Sequence, residues 1–354
     1  MLSMKTTMKP LCVLIPAHNE SLVIAGTIQS MLDAGMRQED IYLVDDFSDD
    51  TTGTIAASYG VNVLRNTVNL GKAMSVNALV THFDLLKKYR YVSMMDADTL
   101  VNESYFKLVT AQFDTDPTTI AAVCGRPMSR PNNWITSYRC WEYFMTHYVY
   151  RGGQSNMGVI MVAPGCAATY RSDVFAQLEW NNDTRVEDMD VTIQVHRKHL
   201  GKIVYAPGAV VYTQDPNTLS DFVKQITRWH GGTWQVGMKY KMFTGTQRVD
   251  WEFKLLMIEG IIFSILFLGA PLWTLLYPTM LIGLGVDVGL IMAIAGAAAI
   301  SDKRKDVFLY SPIFIFLRIV YCAIFLYSFY NIFVRKQKMQ GWLNVKRYQQ
   351  AETK

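Results

Sequence analysis

Two carboxylates one residue apart, Asp96 and Asp98, close the apolar run Tyr91-Val-Ser-Met-Met and are followed by Thr99. Residues i and i+2 of an extended chain point the same way, so both acids could serve one target at a strand's carboxyl end. Hard oxygen donors with little imidazole or thiolate nearby suit Mg2+ or Mn2+. These ions bind through one or two carboxylates and complete their shell with substrate phosphates. A lone Asp-x-Asp is more often an Asx turn capping a strand, so the rest of the chain has to overturn that reading.

Two further groups could do chemistry. Val186-Glu187-Asp188-Met189-Asp190 opens a helical stretch to about residue 200, where acids in the first turn also suit the helix dipole. Gln225, Arg228 and Trp229 fall at i, i+3 and i+4 of an amphipathic pattern over 219–240, which puts them on one face. An arginine stem packed beside an interfacial tryptophan would explain that face without chemistry.

The elements that must position these residues alternate. Apolar runs at 11–15, 41–44, 61–64, 91–95, 120–124 and 202–206 read as buried strands. Helical patterns cover 21–32, the stretch up to 59, 71–88, 102–113 and 134–150. Alternation of this kind predicts an α/β fold with a doubly wound, mostly parallel, Rossmann-like sheet. The polar clusters Pro16-Ala17-His18-Asn19-Glu20, Asp45-Asp46-Phe47-Ser48-Asp49-Asp50 and Asn69-Leu70-Gly71-Lys72 all follow strands. They therefore gather on one rim, where open α/β sheets bind ligands. The first strand leads into Pro-Ala-His-Asn-Glu rather than G-x-G-x-x-G, which argues against dinucleotide binding.

Composition separates the two halves of the chain. Half of the 354 residues are hydrophobic and 18% are charged, too apolar a balance for an ordinary soluble enzyme. Net charge is +4 with no long Lys/Arg block, so nucleic acid is not an expected partner. Five scattered cysteines without CxxC fit a reduced compartment and no zinc site. The polar start MLSMKTTMKP reads as neither a signal peptide nor a membrane span.

The excess of apolar residues lies in 255–334, broken by Pro271, Pro278 and Pro312. About 20 apolar residues span a bilayer, so the expected membrane segments are 256–276, 279–300 and 307–334. Lys239, Lys241, Arg248 and Lys254 place the preceding part on the cytoplasmic side, and two spans return the basic 301–306 loop there. A third span would carry the basic 335–354 tail outside, against the same rule. The third block is read as membrane-embedded, and the rule does not fix its exit side.

In order, the chain holds PAHNE (16–20), VDDFSDDT (44–51), NLGKA (69–73), DAD (96–98), PGCAATYR (164–171), VEDMD (186–190) and QITRW (225–229). This order resembles the family 2 glycosyltransferases of GT-A fold, in the branch that includes cellulose, hyaluronan, chitin and poly-N-acetylglucosamine synthases. The resemblance implies a GT-A domain over 1–240, an interfacial helix within 218–254, transmembrane helices over 255–334 and a basic tail. It implies an integral protein of a bacterial-type plasma membrane with a cytoplasmic catalytic domain, acting on a UDP-sugar and a saccharide or lipid-linked acceptor.

By the same resemblance Asp98 would ligate Mg2+ or Mn2+, and Asp96 would sit at the ribose and diphosphate. Ala17, Asn19, Glu20 and Asp46 would hold the uridine, Lys72 would approach the base or the diphosphate, and Gln225 and Arg228 would contact the diphosphate. Asp188 would be the general base of an inverting displacement, with Glu187 and Trp229 on the acceptor side. Val186 stands where the family usually has Thr, and no membrane helix precedes the catalytic part of this sequence. A second copy or a partner membrane subunit would accommodate the latter. UDP-N-acetylglucosamine and UDP-glucose are the expected donors. Transfer of one sugar to a polyprenyl phosphate or glycolipid is the other reading, against which Gln-x-x-Arg-Trp counts.

Overall fold

The computed structural model describes residues 8–337 and 346–349. Eight strands form one sheet: β1 (Lys9–Ala17), β2 (Ile41–Asp45), β3 (Asn62–Arg65), β4 (Tyr89–Met94), β5 (Leu100–Val101), β6 (Ile120–Ser129), β7 (Ala168–Arg171) and β8 (Lys202–Thr213). Their spatial order is β3-β2-β1-β4-β7-β6-β8-β5. The half β3-β2-β1-β4 is parallel throughout, each strand returning through a helix. Its residues are buried on both faces, with Val13, Ile15, Ile41 and Leu43 in one core layer and Cys12, Leu14, Val44 and Val92 in the other.

Six of the eight described strands run the same way, as expected of a mostly parallel sheet, and two are reversed. β7 runs antiparallel between β4 and β6, and β5 runs antiparallel to β8. The sheet is mixed because the four-residue strand Ala168-Thr-Tyr-Arg, which reads as a small-residue turn, pairs with Tyr91–Met94. The aromatic stretch after Asn133 also departs from a plain helix. Helix Trp134–Phe144 continues as a π-helical turn, Met145–Arg151, before helix Gly152–Met157. Wider turns of this kind recur at functional sites.

The apolar part folds as helices against this body. Helix Arg248–Leu268 bends by 64° into Ala270–Leu276. Met280–Ser301 and Lys305–Phe333 are each long and apolar enough to cross a membrane. The 301–306 turn between them rests on the end of β6. Arg126 Nη2 meets Asp302 Oδ1 at 2.5 Å, Arg304 donates to the Ser129 carbonyl, and Ser137 Oγ donates to Asp306 at 2.6 Å. These contacts hold the turn against the catalytic body. Arg318 and Asp287 pair at 2.8 Å and tie Phe314–Phe333 to Met280–Ser301.

Helix Phe314–Phe333 lies along helix Leu219–Lys239. At one end Phe314 and Phe222 both pack on the Tyr138 ring, with centroids 5.4 and 5.9 Å from it. In the middle Tyr321 stands 4.5 Å from His230. At the other end Phe333 packs 5.5 Å from Trp234 and 5.6 Å from Phe243. Both ends of the last apolar helix therefore touch the catalytic body. The residues of the basic tail before 346 and after 349 lie largely outside the described residues, as does the polar start.

Candidate active site

The carboxyl-terminal rim of the sheet opens on a cavity of about 1540 Å3. The residues expected there converge on it: the Ala17–Glu20 turn, Asp46, Lys72, Asp96, Asp98, Glu187, Asp188, Gln225, Arg228 and Trp229 all line it.

One part of this rim is built from strand ends held by side-chain-to-backbone bonds. Asn19 takes a positive φ of 58°, a conformation asparagine tolerates better than most residues. Its Oδ1 accepts from the Asp49 N–H at 2.8 Å, and its own N–H donates to Ser48 Oγ at 3.0 Å. Asp46 is turned into the rim. Its Oδ1 accepts from the Leu70 N–H and its Oδ2 from the Gly71 N–H, both at 2.8 Å. Asp46 thus shapes the turn that starts helix Lys72–Phe83, where Gly71 has a φ of 77°, a region that glycine enters without steric cost.

Lys72 leaves that helix start and bridges two acids, with Nζ 2.7 Å from Asp96 and 2.6 Å from Glu187. A Cβ on Gly165 would lie 2.9 Å from this nitrogen, so the bare Pro164-Gly165 turn makes room for it. The two carboxylates raise the Lys72 ammonium well above the usual range against the pull of burial. In return Lys72 is the main charge that lowers Asp96 against its own desolvation. The two acid motifs, at the end of β4 and at the start of helix Glu187–Arg197, are therefore cross-linked by one cation.

Asp188, half-buried in the first turn of that helix, accepts weakly from the Gly165 N–H at 3.3 Å. Burial first, and Glu187 beside it second, push its carboxyl above the ordinary range, while Lys72 and the Met189 N–H oppose the shift. A carboxylate made more basic in this way is suited to receiving a proton. Val186, in place of the expected Thr, packs on the neighbouring helix. A Cβ on Gly232 would come within 2.6 Å of Val186 Cγ1, so only glycine allows the two helices this approach.

Gln225, Arg228 and Trp229 reach the same cavity from helix Leu219–Lys239. Arg228 Nη1 donates to the Arg185 carbonyl at 3.2 Å, and Gln225 Oε1 is buried with no hydrogen-bond partner among the described residues. The Trp229 ring carries the Arg139 guanidinium 4.5 Å from its centroid.

Several residues of this site carry no local sequence signal. Arg139 is 2% exposed, reaches Asp215 at 3.2 Å and also pairs with Glu142. His230 is pushed down to about 3 by burial and by Arg139, so it is a neutral ring at physiological pH. Tyr143, Thr146, His147, Arg151 and Tyr321 also line the cavity. The largest omission is Arg347, whose Nε and Nη2 each lie 2.6 Å from Glu20 and whose Nη1 lies 2.5 Å from Asp98. The basic character of the tail was visible in the sequence, but nothing local joins it to residues at the other end of the chain.

Among the described residues no three His, Cys, Asp or Glu side chains converge into an all-protein metal cage. Asp98 is 4% exposed, and burial raises its carboxyl, with Arg347 the strongest opposing charge. A buried carboxylate already matched to a cation, with Asp96 two residues before it, fits a divalent ion held by one or two carboxylates and completed by phosphate oxygens.

Comparison with known proteins agrees with the geometry. The fold is that of a GT-A glycosyltransferase. A mannosyltransferase from Pyrobaculum calidifontis, solved with GDP-Man and Mn2+, superposes with a TM-score of 0.59 at 17% identity, covering 94% of this chain and 89% of that one. The model described as glycosyltransferase like family 2 matches residues 9–232, and the chain belongs to that family. Poly-beta-1,6-N-acetyl-D-glucosamine synthases are among its curated relatives. That of Staphylococcus epidermidis is 26% identical over 229 residues, 63% of this chain and 54% of the relative. That of Staphylococcus aureus (strain COL) is 26% identical over 255 residues, 70% of this chain and 60% of the relative. The chain thus spans little more than half the length of these relatives.

Proposed function

We propose that the protein is an inverting hexosyltransferase that moves a sugar from a UDP-sugar to a growing saccharide at a membrane. The observation that carries this reading is the meeting of Asp98, Asp188 and Trp229 on one cavity. Those residues come from the end of β4, a helix start and a helix middle, and a sheet needing only to fold has no use for their convergence.

In this reading the turn Ala17–Glu20 and the loop shaped by Asp46 hold the uridine. Asp96, Gln225 and Arg228 face the diphosphate, and Lys72 stands between donor and acceptor acids. Asp98 would hold Mg2+ or Mn2+, which supplies Lewis-acid stabilisation of the charge on the departing diphosphate. Asp188 takes the proton of the acceptor hydroxyl as it attacks the anomeric carbon. Its raised basicity supports that role, and displacement from the face opposite the leaving group inverts the centre. Glu187 and Trp229 position the acceptor sugar.

UDP-N-acetylglucosamine leads among donors because the curated relatives named above are synthases of its polymer. The size of the cavity, lined also by Tyr143, Thr146, His147 and Tyr321, supports elongation over transfer of a single sugar to a lipid carrier. The apolar 255–334 helices would seat the 1–240 transferase on the bilayer. Because both ends of helix Phe314–Phe333 rest on the catalytic body, that helix is read as lying along the membrane face. The basic residues after it then stay on the catalytic side, and the positive-inside rule is kept.

The test is to incubate membranes holding the protein with a panel of UDP-sugars and Mn2+ or Mg2+, measuring UDP release and product size together. UDP release from no sugar of the panel, or a product grown by one sugar only, would overturn the corresponding part of the proposal.

A further inference from the structure

The segment 346–349 is docked into the catalytic rim by specific bonds. Gln214, which follows β8, donates from Nε2 to the Tyr348 carbonyl at 2.8 Å and accepts the Tyr348 N–H at Oε1 over 3.4 Å. The Tyr348 hydroxyl donates to the Asp215 carbonyl at 2.9 Å. This hold presents the Arg347 guanidinium to both oxygens of Glu20 and to Asp98 Oδ2.

We propose that Arg347 is a tethered counter-cation that competes with the divalent ion for the Glu20–Asp98 acids, so that the enzyme without donor holds the ion poorly. The proposal rests on the reading of Asp98 as the metal ligand. An ion bonded to Asp98 at about 2.0–2.2 Å would have to share a carboxylate with a guanidinium nitrogen 2.5 Å away. Two cations that close, in a site screened from water, repel strongly. Either the guanidinium or the ion satisfies the buried acids, and the exchange raises the charge set against the two carboxylates from one to two. The guanidinium has the advantage of being attached. An ion gains it back only with a donor, whose two phosphates add oxygens that Arg347 does not have to be displaced from. The free energy of ion binding is thereby coupled to arrival of the donor, and the docked tail lowers the apparent ion affinity by the fraction of molecules in which it is released.

The experiment is a Mn2+ titration of the full chain in detergent, read from the electron paramagnetic resonance of the free ion, with and without UDP. Without UDP, Arg347→Met is expected to bind Mn2+ about tenfold more tightly than the unaltered chain, the gain expected if the released state is about a tenth of molecules. Because Arg347→Met leaves Glu20 and Asp98 unpaired and can fail to fold, Gln214→Ala is the companion. It loosens Tyr348 while touching no acid, and tighter Mn2+ binding is expected there also. Equal or weaker affinity in whichever folded variant is measured overturns the proposal. If the unaltered chain binds Mn2+ with UDP yet the variants gain nothing without it, only this proposal falls. If no form binds Mn2+ with or without UDP, the metal reading falls and takes this one with it.

Discussion

The guanidinium of Arg139 lies over the ring of Trp229, 4.5 Å from its centroid, and the same guanidinium reaches Asp215 at 3.2 Å. The ring is therefore held on one side by a buried cation, and both residues line the cavity. Trp229→Ala should lower transfer to a saccharide acceptor by roughly tenfold or more, about the loss expected for removing a stacking face worth 1–2 kcal/mol. Hydrolysis of the donor by water should fall less. Parallel assays of product and of UDP release check this, and equal losses in both would remove the stacking role.

Asp188→Asn keeps the shape of the helix start and the weak Gly165 contact but cannot take a proton. Turnover should drop by about 10²–10⁴-fold, the usual contribution of a general base, with UDP affinity unchanged by calorimetry. Near-normal turnover would sink the assignment.

The pH profile should show the same group. Asp188 is raised above the ordinary carboxyl value of about 3.9 by burial and by Glu187, so the acid limb of kcat should lie above that value and vanish in Asp188→Asn. The sign for stability is opposite in sense. A carboxyl raised in the folded state favours folding below its unfolded value and costs stability as pH climbs through the folded one. Asp188→Asn should therefore be the more stable chain at neutral pH and gain little in acid, which thermal melts at two pH values measure.

Asp98→Ala should abolish the dependence of UDP binding on Mn2+. Calorimetry with and without the ion reads this directly, and unchanged UDP–Mn2+ binding would contradict the ligand assignment.

Lys72→Met should destabilise the fold itself. It leaves Asp96 and the buried Glu187 without their shared cation, and breaking a buried pair from one side typically costs about 3–5 kcal/mol. A thermal shift within a degree of the unaltered protein would show that solvent already compensates these acids.

Much of this site was legible from residue types alone. β1, β2 and β4 announce themselves as apolar runs that end in polar residues, and a parallel arrangement puts those ends on one rim. Gln225, Arg228 and Trp229 share a face because helical spacing requires it. The rest depends on contacts between distant residues. β7 is the four residues Ala168-Thr-Tyr-Arg, too short to show a period, and its place in the sheet comes from pairing with β4. The π-helical turn at Met145–Arg151 differs from α-helix by one residue per turn and leaves no mark in composition. Arg347 lies 327 residues from Glu20, and neither residue's neighbours hint at the other. The mixed sheet and the docked tail were hidden for that common reason.

Gly232 sits three residues beyond Trp229 on the same helix, and its missing side chain lets Val186, two residues before Asp188, press against the helix backbone. There is no slack at that contact. In the proposed reading, a tilt of helix Leu219–Lys239 under a saccharide on Trp229 would press on Val186 and so on the turn that carries Asp188. The seat proposed for the acceptor and the mount proposed for the base would then be one lever, with a glycine for its fulcrum.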